Sequence, residues 1–531
     1  MILLWPLSLY RTLLCFICLL VSYYTYHHLA IGASRRRFIA AKGCKPLRRW
    51  RNKDPFLGID FLWASYRAIK EHRVLEMTKD RLDLLGVNTA HITILSMTFV
   101  VTIEPENLKC VLASDFRNYS LGDLRKKMLK PFLGEGIFTT DGEEWQHSRE
   151  MLRPNFVRTQ IGDVEMFEKH VEHLIQAIPR DGSMVDLQDL FFRFSLDVAT
   201  DLLFGESTNT LAPGFADAEV TEFVDAYVYC LRALDGSGLG EEEGGHMGMA
   251  WGFLGLFLPN RKLKQQIEVV NKFVDKLVKT AMTNRDARKS ESEKESTPRY
   301  VFLHELVDQT EDKIKIRSEL LNILLAGRDT TASMLSNVWF ELSKRPEIWT
   351  RLRHEVDALD GELPNFERLK DMKYLRAVLN ESLRLYPVVP ENDRQAEADT
   401  VLPVGGGDDG KSPVLVKKGQ TVHWSLYAMH RRKDLYGEDA EDFKPERWLD
   451  EGEKKGLRVG WEYLPFNGGP RICIGQQFAL TEASYVTVRL MQEFPQIQSR
   501  DPEPWREKIT LTCTGLGGCK IALFPRRTSR D

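Results

Sequence analysis

The chain has 531 residues, 43% of them hydrophobic, and Lys+Arg 73 against Asp+Glu 76 leaves a formal net charge of -3. Such a length supports a large core, and so even a charge balance excludes a global basic field that would recruit nucleic acid. The 8 cysteines, at irregular spacing in so long a chain, do not make the pattern of a disulfide framework and suit a reducing, cytosol-facing compartment.

Thr12 to Ile31 is a run of 20 residues without a formal charge, long enough to cross a bilayer core. Tyr23, Tyr24 and Tyr26 suit an interface. Arg35, Arg36, Arg37, Lys42, Lys45, Arg48, Arg49, Arg51 and Lys53 follow, which by the positive-inside rule leaves the downstream chain in the cytosol. A cleaved signal peptide carries its positive charges ahead of the apolar run. Arg11 does stand there, but no small-residue cleavage site is evident and the flank behind is far more basic. The expectation is an uncleaved single-pass anchor with a luminal N-terminus. Cys15 and Cys18, spaced like a redox pair, read as lipid-facing packing.

From Asp54 to Lys109 the pattern predicts a short helix, then one or two strands over Thr93 to Ile103, where apolar residues alternate. Asn118 to Gly136 is a mixed, glycine-bearing loop placed to lie over a ligand. Trp145 and Arg149 are four apart and share a helix face. Arg125, Lys126, Lys127, Lys130, Arg153 and Arg158 form a basic patch, read either as a solvated face or as a docking site for an acidic redox partner. Asp186 to Gly205 is an amphipathic helix. Gly236 to Pro259 combines glycines, acidic residues and an apolar run, the mark of a buried lid or a membrane-dipping surface. Asp286 to Pro298 is a charged, serine-rich linker.

Lys313 to Arg345 reads as one long helix with Ala326 to Thr331 near its middle. A helical glycine costs about 1 kcal/mol against alanine, so Gly327 needs a reason, and a notch for a small ligand is one. Asp329 and Thr330 offer a carboxylate and a hydroxyl beside that notch, the parts of a proton relay. Otherwise a mid-helix Thr-Thr is a back-bonding feature. Glu381 and Arg384, three apart on a helix from about Leu375 to Leu385, are neighbours; Pro387 stops that helix. Gly405 to Ser412 satisfies the phosphate-loop pattern, yet Pro413 and Val414 to Val416 continue as a strand, not a helix. Asp408 and Asp409 would also repel an anion, so a hairpin tip at Asp409-Gly410 is the better reading.

Phe466-Asn-Gly-Gly-Pro-Arg-Ile-Cys-Ile-Gly475 organises the rest. Its glycines let the backbone turn sharply and lie flat against a large planar ligand. Arg471 is placed to neutralise a haem propionate, Phe466 to shield a ring face, and Cys473 to offer iron a thiolate. Gln476 to Glu493 then suits a buried helix. Ile509 to Phe524 fits a strand pair whose tip lines the site, with Cys513 and Cys519 as packing.

The Phe-x-x-Gly-x-Arg-x-Cys-x-Gly frame resembles the haem-binding signature of the cytochrome P450 family. With it, Trp145 to Arg149 resembles the family's propionate-binding helix, Ala326 to Thr331 its oxygen-activation motif, and Glu381 to Arg384 the motif that joins Arg447 of Pro445-Glu-Arg447 as scaffolding. Arg394 matches a position that touches a propionate. The resemblance implies a mainly α fold with a minor β region, the cytochrome P450 fold, behind the N-terminal transmembrane helix. Residues 1–34 are then the anchor, 35–60 a basic, proline-containing linker and 61–531 the haem-thiolate domain.

Cys473 would ligate the iron of haem b, held by Trp145, Arg149, Arg394, Arg471 and Phe466. Thr330 would supply the hydroxyl and Asp329 the proton. The reaction implied is insertion of one oxygen atom of O2 into a C–H bond, with NADPH electrons arriving through a separate membrane reductase at the endoplasmic reticulum. Asn467 to Tyr485, Pro390 to Ala396 and the Gly405 to Gly410 hairpin resemble fungal n-alkane and fatty-acid terminal hydroxylases. Set against that are a tailoring enzyme of secondary metabolism, a haem isomerase or carrier, and a membrane NTPase. The intact Asp329-Thr330 pair favours oxygen activation over the isomerase or carrier.

Overall fold

One helix, Lys313–Lys344, spans 32 residues and is buried over most of its length. Asp312 caps it, accepting hydrogen bonds from the Ile314 and Lys315 amides through its side chain, which satisfies orphan donors of the first turn. The computed structural model describes residues 5–54, 58–94, 97–156, 164–234, 260–285, 300–450 and 455–526. Helices Leu187–Phe204, Arg261–Thr283, Lys373–Leu385 and Gln476–Glu493 all pack on the long helix.

Two hydrophobic clusters share that helix. Ile316, Leu320, Leu321, Ile323, Leu324 and Leu325 belong to one, and Ala332, Leu335, Val338 and Trp339 to the other. Ala326 to Thr331 falls between them, in neither. The stretch that Gly327 and the Asp329-Thr330 pair marked in the sequence therefore lies at a seam between two cores, and a seam is where a cavity can persist without opening either.

Beside the helical body lies a six-stranded sheet, ordered Arg48–Arg49, Thr89–Ile94, Met97–Thr102, Thr421–Ser425, Glu391–Ala396 and Tyr119–Ser120. Thr89–Ile94 pairs antiparallel with Met97–Thr102, as the alternation predicted. Ahead of it stand two helices, Ile59–Lys70 and Val74–Leu85, where the sequence pattern predicted one. The break between them falls at His72, whose φ of 54° is left-handed without a glycine to announce it.

Leu187–Phe204 is buried nearly all round, not on one face, because it crosses the long helix on one side and Glu165–Ala177 on another. Gly205 at φ 75° closes it. The phosphate-loop pattern forms an antiparallel hairpin, Thr400–Gly406 with Ser412–Val416, and so lacks the helix a phosphate loop must open. The strand pair expected within Ile509 to Phe524 is divided: Cys513–Gly515 pairs with Glu507–Ile509, while Lys520–Phe524 pairs with Gln496–Ser499 and Val185–Asp186. The candidate lid at 236–259, the 286–298 linker and Arg158 lie outside the described residues, except that Leu234 ends the preceding helix.

One described helix, Tyr10–Lys42, is long and apolar enough to cross a membrane, with a mean hydropathy of 1.5 over its best window. It continues past residue 34 through Gly32–Lys42 and closes on Gly43 at φ 65°. Arg35 on this extension makes a two-pronged ion pair with Asp399, at 2.7 and 2.9 Å, beside the Thr400–Gly406 strand.

Candidate active site

The cysteine loop is held open by its own backbone. Asn467 and Gly469 both take left-handed φ, 64° and 66°. A Cβ on Gly469 would stand 1.8 Å from the Leu112 carbonyl oxygen, so no other residue fits there. The Cys473 amide donates to the Phe466 carbonyl at 3.0 Å, closing the loop, and Gln476–Glu493 starts directly behind it. Cys473 is a free cysteine whose exposure is toward an internal cavity, where protein atoms surround it. Burial raises its thiol pKa, while the Gly475 amide and the Arg149 guanidinium pull it down.

That cavity, about 320 Å³, is mostly apolar. Cys473, Phe466, Arg471, Trp145, Arg149, Arg394 and Thr330 all line it. Seven residues singled out across more than three hundred positions of sequence thus converge. Asp329 does not line it: its buried carboxylate accepts a hydrogen bond from its neighbour Arg328 at 2.6 Å. Burial raises the Asp329 pKa and Arg328 lowers it. Thr330 donates to the Ala326 carbonyl at 2.6 Å, the back-bonding geometry of a mid-helix threonine. A Cβ on Gly327 would lie 3.6 Å from the Ala199 Cβ, an ordinary contact, so helix packing does not require the glycine.

One end of the cavity is a cluster of guanidiniums. Arg394 is buried at 4% exposure, and its Nε has no hydrogen-bond partner. It shares a face of the Glu391–Ala396 strand with Asn392, two residues away, and its cation sits over the Trp424 ring at 5.7 Å. Burial, with Arg125 and Arg471 nearby, lowers its pKa to about 9. Arg471 stacks on Trp145 at 4.4 Å and donates to Asp141 at 2.6 Å. Burial lowers its pKa to about 10, Asp141 opposing and Arg125 and Arg149 adding to the fall. Arg149 donates to the Ile472 carbonyl at 3.0 Å.

Arg125 belongs here too, bonded to Asn392 at 2.8 Å. The sequence pattern puts Arg125 in a basic patch within a loop over Asn118 to Gly136; Asp123–Leu133 is instead a helix, and it turns Arg125 toward the cavity. Two others of that patch are matched within the chain, Lys126 to Asp141 and Lys130 to Glu135.

Behind the loop stands a second charged cluster of opposite character. Arg384 makes two bonds to Glu381, at 2.8 and 2.9 Å, and Arg447 a third at 2.8 Å. Arg384 also donates to the carbonyls of His430, Ala440 and Asp442, and the Trp448 indole to Glu381. His430 carries the frame to the cysteine loop: its Nδ1 donates to the Arg384 carbonyl and its Nε2 accepts from the Leu464 amide. Burial keeps it neutral, with a pKa lowered to about 3. A lone histidine gave the sequence no such signal.

The family model for cytochrome P450 matches residues 88–515. This chain belongs to the cytochrome P450 family. A cytochrome P450 monooxygenase, himC, of Aspergillus japonicus is 44% identical over 511 residues, 96% of this chain and 88% of the relative. Another, fsdH of Fusarium heterosporum, is 43% identical over 514 residues, 95% and 87% of the two. Cytochrome P450 52A12 of Debaryomyces hansenii is 40% identical over 535 residues, 96% of each chain.

The cofactor this P450 family carries, haem, fits the residues present. Like-charged arginines with an orphaned Nε call for an anion, and a group bearing two propionates answers that. Trp145, Arg125, Arg149, Arg394 and Arg471 would hold the propionates, and Phe466 would lie at the ring. Among the described residues, Cys473 offers the only cysteine sulfur on the cavity wall. A metal deprotonates a coordinating thiol outright, overriding the effect of burial.

Proposed function

We propose that this cytochrome P450 is a membrane-anchored haem-thiolate monooxygenase acting on a hydrophobic aliphatic substrate, an alkane or fatty-acid type hydroxylated at its terminus. The observation that carries the reading is the apolar share of the cavity lining: among the described residues, Leu121, Leu129, Val198, Leu202, Ile323 and Leu511 offer a substrate's middle or tail carbon contacts only. Bound haem, with Cys473 as its thiolate ligand, would supply the cleavage of the O–O bond. The chain's own part is to exclude water, to hold the substrate against apolar walls and to place the Thr330 hydroxyl where protons are needed. Asp329 as their source requires its ion pair with Arg328 to open.

Tyr10–Lys42 supports anchoring, and the basic flank behind it supports a cytosolic domain at the endoplasmic reticulum. Residues 1–34 are assigned to the anchor and 61–531 to the catalytic domain. Electrons come from NADPH through a separate reductase. The segments resembling fungal terminal hydroxylases support the aliphatic substrate. They lie on the cofactor and its scaffold, so a tailoring role on a secondary metabolite is the second reading; the relatives named himC and fsdH match as much of the chain as 52A12 does.

The test is a microsome co-expressing the chain and a fungal reductase, given NADPH with a panel of alkanes and fatty acids. Terminal alcohols that disappear in Cys473→Ala establish the aliphatic reading. No product beside an intact thiolate-type carbon-monoxide spectrum moves the assignment to a dedicated secondary metabolite.

A further inference from the structure

The C-terminal ribbon enters the cavity wall without a larger sheet behind it. Among the described residues, Glu507–Ile509 and Cys513–Gly515 pair only with each other, and a lone two-stranded ribbon is marginal in water. Between the strands the Thr510 amide donates to the Thr512 carbonyl at 2.8 Å, closing a tip whose Leu511 and Thr512 line the cavity. The long helix Lys313–Lys344 backs Cys513–Gly515, and the Cys513 amide donates to the Val388 carbonyl at 2.9 Å. The other strand is held from elsewhere.

Its hold is Glu507. This carboxyl is 3% exposed and accepts hydrogen bonds from the Val74 and Leu75 amides, the latter at 3.0 Å. Those amides open helix Val74–Leu85, whose N-cap residue, Arg73, makes no side-chain capping bond. First-turn amides need an acceptor, and this one arrives from 432 positions down the chain. Beside it Leu75, Tyr427 and Cys513 form a small buried cluster separate from the larger cores. A carboxyl and a small apolar cluster thus tie the ribbon to helix Val74–Leu85.

Burying an ionisable group for this purpose is costly. Burial, with Glu391 and Glu76 adding, raises the Glu507 pKa to about 7 against the pull of the two amides. A serine, threonine or asparagine at the N-cap would satisfy the amides without that cost. What a local cap could not do is join the helix to the tip of the ribbon, which begins three residues beyond Glu507.

We infer that Glu507 is a positioning residue: by clamping the ribbon to helix Val74–Leu85, it sets how far Leu511 and Thr512 reach into the cavity and so which carbon of an aliphatic substrate faces the cofactor. The inference rests on the monooxygenase reading. Glu507 itself is not part of the cavity lining. A slack base displaces the tip, and a displacement of about 1 Å is enough to change a rate roughly a hundredfold.

The experiment compares full-length, haem-loaded wild type with Glu507→Ala, Glu507→Asp, Glu507→Gln, Leu511→Ala and the Glu507→Ala/Leu511→Ala double variant. The first readout needs no turnover: spectral titration with N-alkylimidazoles from methyl to dodecyl, whose ring nitrogen reports on the haem and whose tail reports on the space beside the tip. In Glu507→Ala the affinity for the dodecyl compound relative to the methyl one should change by roughly tenfold, the effect of one methylene contact in an apolar pocket. N-methylimidazole itself should bind as in wild type. Glu507→Gln keeps an acceptor oxygen and should restore most of the wild-type profile; Glu507→Asp, a methylene shorter, should not. Because the clamp acts through the tip, the double variant should match Leu511→Ala, the two changes sharing one route. Fully additive effects, or wild-type profiles in both Glu507→Ala and Glu507→Asp, overturn the inference. Should Glu507→Ala fail to load haem, Glu507→Asp alone and combined with Leu511→Ala carries the same test.

The second readout is the position of the hydroxyl group in products from the alkane and fatty-acid panel, with reductase and NADPH. Glu507→Ala should spread oxidation to neighbouring carbons while its carbon-monoxide spectrum stays thiolate-type, and unchanged positions overturn the inference. A wild type that binds the alkylimidazoles but forms no alcohol would instead sink the monooxygenase reading, with the titration still deciding the role of Glu507.

Discussion

Two buried arginine clusters flank the cysteine loop, and they differ in what they lack. Around Glu381, the Arg384 and Arg447 guanidiniums meet a carboxylate, an indole and backbone carbonyls, all supplied by the chain. Around Arg394, four guanidiniums face a cavity; burial and neighbouring arginines lower the pKa of Arg394 and Arg471, and the Arg394 Nε is left unbonded. The first cluster is complete as folded, and removing one member strands a buried charge. The second becomes complete only when an anion arrives. Saturation of hydrogen bonds thus separates scaffold from binding site more sharply than charge or burial does, since both clusters are charged and buried.

The largest effect should come from the residue between the clusters. Cys473→Ser removes the thiolate, and the reduced protein should lose its thiolate-type carbon-monoxide spectrum together with product formation. Retention of that spectrum in the serine variant would falsify the ligand assignment.

Methionine in place of an arginine then separates the clusters. Arg384→Met leaves Glu381 short of its main partner and should cost about 3–5 kcal/mol, read as earlier urea unfolding both with and without haem. Arg394→Met removes a buried cation with an unbonded Nε that Arg125 and Arg471 repel, at the loss of its bonds to Asn392 and the Asp393 carbonyl. Its apoprotein should unfold no earlier than wild type, while haem passes faster to an acceptor globin. Equal losses of apoprotein stability in the two variants would erase the distinction.

A smaller change is expected from Thr330→Ala. Its hydroxyl now bonds only its own helix, so folding and haem loading should persist, while product per NADPH falls by roughly tenfold or more. Tight coupling in this variant removes Thr330 from the proton path. The smallest effect belongs to Gly327→Ala. The new methyl would meet Ala199 at 3.6 Å without a clash, so stability should rise by up to about 1 kcal/mol. Any change in product pattern, followed by mass spectrometry, then reports cavity space alone. A loss of stability would mean that the seam between the two cores is tighter than its geometry indicates.

Some of this was legible because the physics is local. The glycines and the spacing of the Phe466 to Gly475 frame dictate a tight loop around a cysteine, and the long helix expected over Lys313 to Arg345 forms as Lys313–Lys344. The hairpin in place of a phosphate loop followed from Pro413 and two repelling aspartates. Helix Gln476–Glu493 followed from its apolar spacing.

What the sequence by itself determined, then, is the chemistry that can be offered: a thiolate, cations, a hydroxyl and an apolar wall, each tied to a spacing that local backbone geometry enforces. What only the tertiary structure decided is direction. Whether Arg125 turns inward and whether His430 bridges scaffold and loop depend on partners tens to hundreds of residues away, and whether Asp329 faces the cavity or its neighbour Arg328 depends on how the long helix is packed. A side chain's orientation is set by what remains unbonded once distant elements have packed, and that remainder exists only in the folded chain.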